Sequence, residues 1–156
     1  MITGGPLRIL VALDDSDFAI HVGEAVLKLA KGKDTELHVL SVISEPTPLE
    51  ADPEVEPQMI EKETSAFEET HSKLKQILAG SPEIRAYFVT IKGIPSKIIC
   101  QEASSRSVDF ILMGNRGRGK LKSALMGSVS MDVINNSLVP VIVVRQRQTA
   151  QEPPSE

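Results

Sequence analysis

The sequence predicts an α/β fold: a doubly wound, five-stranded parallel sheet with helices on both faces. Three observations carry this. Short apolar runs alternate with helical patterns four times, and a last apolar run follows. The first run, Leu7-Arg8-Ile9-Leu10-Val11-Ala12-Leu13, is apolar on both faces apart from Arg8, as a strand covered from two sides must be. The run from Val108 to Met113 ends at Gly114, and a cationic, glycine-bearing stretch then leads into another helix. The order strand–helix–strand implies parallel pairing by crossover. The expected strand order is 3-2-1-4-5, a Rossmann-like arrangement.

Each element follows from local chemistry. Strand one stops at Asp14-Asp15-Ser16, residues that can cap a helix. Helix one carries Phe18, Val22, Ala25, Val26 and Leu29 on one stripe and ends at Gly32. Residues 36–43 read as strand two. Residues 44–58 contain Pro46, Pro48, Pro53 and Pro57 with five acidic side chains, which predicts a long acidic loop without regular structure. Helix two is expected over 59–79, with Ile60, Phe67, Leu74, Ile77 and Leu78 inward. Strand three, 84–91, alternates as an edge strand does. Gly93-Ile94-Pro95 opens helix three, whose inner face is Ile98, Ile99 and Ala103. After strand four, helix four covers about 128–137 with Val129, Val133, Ile134 and Leu138 inward. Residues 140–144 form strand five. The tail, 146–156, is polar and Pro-containing, and disorder is expected there.

At 156 residues the chain fits one domain, with its ordered core over about 7–145. A net charge of −4 and 3% aromatic residues argue against a nucleic-acid binder. No run is long and apolar enough for a membrane span, and a cytoplasmic location is the default expectation. The one cysteine, Cys100, reads as a small packed residue. Histidines 21, 38 and 71 match no metal spacing, and no protein-borne metal site is expected. His21 and His71 read as residues of helix surfaces or margins.

In doubly wound sheets ligands sit beyond the carboxyl ends of strands, where strand order reverses. Two strand ends here carry chemistry: Asp14 after strand one and Gly114 after strand four. Glycines let a backbone approach a ligand and adopt positive φ. A helix N-terminus attracts anions through free N–H groups and its dipole. The segment from Gly114 to Ser130 therefore reads as a phosphate cradle, against the plainer reading of turns before a helix. Arg116, Arg118, Lys120 and Lys122 either clamp polyphosphate or form a solvated loop, with Arg116 the expected direct contact.

The spacing is Gly114-x2-Gly117-x9-Gly127-Ser128. It is not the dinucleotide GxGxxG, which would need glycine where Lys122 stands, nor the GxxxxGK[ST] loop. It resembles the pattern of the universal stress protein family, in its ATP-binding branch, and the opening ILVALDDS resembles that family's first strand. The resemblance covers about 7–145. It implies an adenine nucleotide, ATP with AMP or ADP as alternatives. Ala12, Leu13 and Asp14 would border adenine and ribose, with Asp14 accepting from ribose hydroxyls or approaching a phosphate-bound metal. Val42 would contact adenine. Met113, Gly114, Arg116 and Gly117 would line ribose and phosphate. Gly127, Ser128, Val129 and Ser130 would bind phosphate through N–H groups and hydroxyls. Magnesium or manganese would arrive with the phosphates.

Strand five, apolar and expected at a sheet edge, invites pairing with a second copy. The resembled family also dimerises through this strand, so residues 140–144 are the expected homodimer contact. Three functions follow: a regulatory nucleotide binder acting on an unknown protein partner, a slow ATPase or self-phosphorylating protein, or a nucleotide-free dimeric scaffold. No motif assigns a catalytic base, and no catalytic residue is named.

Overall fold

The computed structural model describes residues 4–14, 18–115 and 126–145. The expected Arg116 and Gly117 contacts, with Arg118, Lys120, Lys122 and the tail at 146–156, lie outside the described residues.

Nine elements follow in order: β1 (Leu7–Ala12), α1 (Ala19–Ala30), β2 (Thr35–Ser44), α2 (Glu56–Leu78), β3 (Ile84–Gly93), α3 (Pro95–Ser105), β4 (Phe110–Gly114), α4 (Ser128–Asn136) and β5 (Val141–Val144). The five strands form one parallel sheet in the order β3-β2-β1-β4-β5. β1 lies at the centre: Ala12 is level with Leu40 of β2 on one side and Met113 of β4 on the other.

The central strands β1 and β4 are apolar apart from Arg8 because helices cover both faces. On one face Ile9, Val11, Leu37, Val39 and Leu112 pack with Val22 and Val26 of α1 and Leu74 and Leu78 of α2. On the other, Leu10, Leu40, Ile111 and Met113 pack with Ile99 and Ala103 of α3 and Val133 of α4. Arg8, the one charge in β1, reaches Glu36 at 3.1 Å at the end of the sheet remote from Asp14.

Helix ends are closed by backbone chemistry. Gly32 takes φ +70° just after α1, the left-handed turn expected there. α3 ends the same way at a residue less suited to it. Ser107 has φ +50°, and its N–H donates to Ser104 O while that of Val108 donates to Ala103 O. Ser107→Gly is therefore expected to stabilise the protein by about 0.5–1 kcal/mol, by relief of the Cβ clash. Urea unfolding checks it.

Four expectations are corrected. Pro57 does not exclude helix: α2 begins at Glu56 with Pro57 in its first turn, where a missing N–H costs nothing. Ile134 and Leu138 do not face inward; they are 40% and 91% exposed. α4 ends at Asn136, so Leu138 lies beyond it, and Ile134 is one step around the helix from the buried Val133. His71 is buried, not on a helix surface, because it falls on the same stripe as Phe67, Leu74 and Leu78. Finally, Gly114 and Gly127 do not take positive φ: Gly114 closes β4 in extended form, and Gly127 has φ −65° at the head of α4. Among the described residues no helix is long and apolar enough to cross a membrane.

Candidate functional site

β1 and β4 are neighbours, and between them the strand order reverses. Asp14, just past β1, and Gly114, the last residue of β4, therefore open on one crevice. A cleft of about 260 Å³ occupies it. Of the expected site residues, Ala12, Leu13, Asp14, Val42, Met113, Gly114, Val129 and Ser130 line this cleft. Gly127 and Ser128 are not among the lining residues; they are the N-cap and first residue of α4, directly before Val129 and Ser130.

The start of α4 presents backbone donors at a helix N-terminus, the end that attracts anions. Gly127 makes no side-chain cap, so among the described residues the first-turn N–H groups of Ser128, Val129 and Ser130 are not met by a capping side chain. The segment is anchored on both sides. Gly127 N–H donates to Asn115 O at 2.8 Å, and Met131 N–H to Gly127 O at 3.1 Å. The Ser130 hydroxyl, expected to face phosphate, donates instead to Gly114 O at 2.9 Å and ties α4 to the tip of β4. Gly114 is level with Val144 of β5, and Asn115 N–H donates to Val144 O.

The opposite wall was not legible from motifs. Leu40, Ser44, Glu63, Phe67, Pro95 and Ile99 complete the lining. Phe67 and Ile99 read as core from their periodicity, and each in fact extends the core up to the cleft floor. The four-residue interval between Glu63 and Phe67 was the available signal, since it places both on one face of α2. Asp14 does not stand at the N-cap of α1; that position belongs to Phe18.

Beneath this wall, burial pushes the His71 imidazole below its ordinary pKa, and the Lys75 cation adds to the effect against an opposing Glu68. Below the ordinary value of about 6.5 the unfolded chain takes up a proton that the folded protein resists. The contribution is thus fully present above that pH and is lost as pH falls toward the depressed folded value. Urea midpoints are expected to fall between neutral pH and the acid side of that value, and less steeply in His71→Gln; equal slopes would refute the assignment. Burial also raises the Cys100 thiol pKa, which disfavours the reactive thiolate.

Fold and cleft together define a class: a doubly wound α/β protein with a ligand-sized crevice at its topological switch point. Within that class, the chain belongs to the universal stress protein family, which matches residues 7–145. It is 27% identical over 143 residues to universal stress protein MJ0531 of Methanocaldococcus jannaschii, covering 89% of this chain and 82% of that one. The solved structure of protein MJ0577, from the same organism, is 30% identical and covers 92% of this chain and 98% of its own, with a TM-score of 0.72. A universal stress protein from Archaeoglobus fulgidus in complex with dAMP has a TM-score of 0.61 at 24% identity, covering 88% of this chain and 97% of its own.

Proposed function

We propose that this protein binds an adenine nucleotide, ATP with ADP or AMP as alternatives, and acts as a homodimeric regulatory protein. The observation that carries the reading is convergence. Residues from the tips of β1, β2 and β4 and from the first turn of α4, far apart in sequence, line one cleft. Its walls have the right division of labour. Leu40, Val42, Phe67, Pro95 and Ile99 offer apolar surface for a base, and the uncapped start of α4 offers N–H donors for phosphate. A volume of about 260 Å³ suits a nucleoside, with phosphates meeting the first turn of α4. Asp14 is the acceptor for ribose hydroxyls, or meets magnesium or manganese brought by the phosphates. The dAMP complex of a protein of the same fold agrees with this ligand class.

Dimerisation has its own support. β5 is half-buried along its length, at the sheet edge, and Ile134 of α4 and Leu138 between α4 and β5 are exposed. Covering that apolar edge with a second copy would remove a pairing hazard.

The test is direct. Purified full-length protein is acid-extracted, the released nucleotide is identified by mass spectrometry, and ATP, ADP, AMP and GTP are titrated calorimetrically into emptied protein. Release or binding of an adenine nucleotide in preference to GTP is expected. No released nucleotide, together with no binding heat at millimolar ligand, would overturn the proposal and leave the scaffold reading.

A further inference from the structure

Below the cleft, α2, β2 and the tip of β1 meet through polar atoms in a mostly apolar core. Ser41 is fully buried and stands between Leu40 and Val42, two residues of the cleft wall. Its Oγ lies 2.7 Å from the Leu13 carbonyl oxygen and 2.8 Å from Nε2 of the buried His71. A carbonyl accepts and never donates, so the single hydroxyl proton goes to Leu13 O. His71 Nε2 must then carry its own proton and donate it to Ser41 Oγ, which sets the imidazole tautomer. The contact is a directed chain: imidazole N–H to hydroxyl, hydroxyl to carbonyl.

The far end of that chain is where β1 leaves the sheet. Ala12 is the last residue with partners on both sides, Leu13 N–H still donates to Leu40 O at 2.9 Å, and Asp14 follows. The Leu13 carbonyl and the Asp14 N–H share one rigid peptide plane. Fixing that carbonyl therefore fixes the direction in which Asp14 departs. The near end is on α2, where His71 stands one turn after Phe67 and two turns after Glu63 on the same face. One helix face thus walls the cleft and anchors the strand tip.

We propose that His71 and Ser41 are positioning residues for nucleotide binding, which they support through the Leu13 carbonyl without touching the ligand. This rests on the adenine-nucleotide reading above. Ser41→Ala strips the buried Leu13 carbonyl of its donor, and loss of the imidazole leaves the Ser41 hydroxyl free to rotate away from it; in either case the carbonyl turns toward another donor and its peptide plane turns with it. Packing alone would tolerate an apolar replacement; aiming Asp14 would not.

The experiment titrates ATP into full-length wild type, Ser41→Ala, His71→Leu, His71→Gln and the Ser41→Ala/His71→Leu double variant. Each is checked by thermal melt, and the Asp14 amide is followed by two-dimensional NMR. Glutamine can present an N–H donor close to where the imidazole Nε2 stands, whereas leucine presents none. Ser41→Ala and His71→Leu are expected to weaken ATP binding about tenfold each, the double variant no further, as members of one chain behave. His71→Gln is expected to bind within about twofold of wild type, since the donor is kept. The Asp14 amide resonance is expected to move in the first two and to stay in His71→Gln. Ser41→Ala removes one oxygen and carries the test alone should His71→Leu fail to fold. Wild-type ATP affinity in folded Ser41→Ala, an additive double variant, or equal losses in His71→Gln and His71→Leu would each overturn the proposal. Should wild type bind no adenine nucleotide, the nucleotide reading fails on its own. The chain from His71 to Leu13 is then judged by the Asp14 amide, which must move in Ser41→Ala.

Discussion

Gly23→Val is expected to lower stability by about 2–3 kcal/mol, which for a domain of this size moves the thermal midpoint down by roughly 5–10 °C. Gly23 is buried where α1 crosses α2. A Cβ there would lie 3.0 Å from Leu74 Cδ1 and 3.2 Å from Ile77 Cδ1. Two effects compete on substitution. Alanine gains up to about 1 kcal/mol of helix propensity over glycine and has to displace only methyl ends of flexible side chains, so Gly23→Ala should be near neutral. Valine adds two further carbons at the same crossing and loses rotamer freedom in a helix, and overpacking wins. A urea melt of the two variants side by side measures the difference; equal midpoints would mean the helices part without cost.

Asp14→Ala is expected to weaken ATP binding about 10- to 100-fold, the range for removing one charged hydrogen-bond acceptor, with the fold intact. Asp14 lines the cleft beside Ala12 and Leu13 and does not stand at the N-cap of α1. A helix-capping aspartate would behave oppositely: its loss would cost about 1 kcal/mol of stability and leave affinity alone. Calorimetric titration and a thermal melt on the same sample separate the two. Unchanged ATP affinity would remove Asp14 from the site.

The fold was legible because it is written in a two-sided pattern. Strands apolar on both faces, such as Ile9 to Val11, belong only in a sheet covered twice, and the strand–helix alternation then leaves little freedom in topology. The edge position of β3 was legible in the exposed Arg85 and Tyr87 alternating with Ile84, Ala86 and Phe88. What local reasoning misjudged were helix limits and orientations. Pro57 was read as a breaker when its place in the first turn made it compatible. Leu138 was read as core because apolar identity says nothing about where a helix stops. The strand-tip half of the cleft was visible in Asp14 and Gly114, since backbone topology alone delivers those residues. The α2–α3 half was not. Glu63, Phe67 and Pro95 reach the cleft through the docking of whole helices, a long-range event with no short motif. His71 was misjudged for a related reason: its partner Ser41 is 30 positions away.

Ser130 and Val144 are gripped by the same short length of chain. Gly114 receives the hydroxyl of the one and lies level with the other, and the next amide, that of Asn115, bonds Val144 as well. The outermost strand of the sheet thus hangs from peptide groups at the end of β4, where Gly114 lines the cleft. A molecule seated there would need no lever arm and no domain movement to be felt outside: stiffening two consecutive peptides is enough to steady the outer border of the sheet.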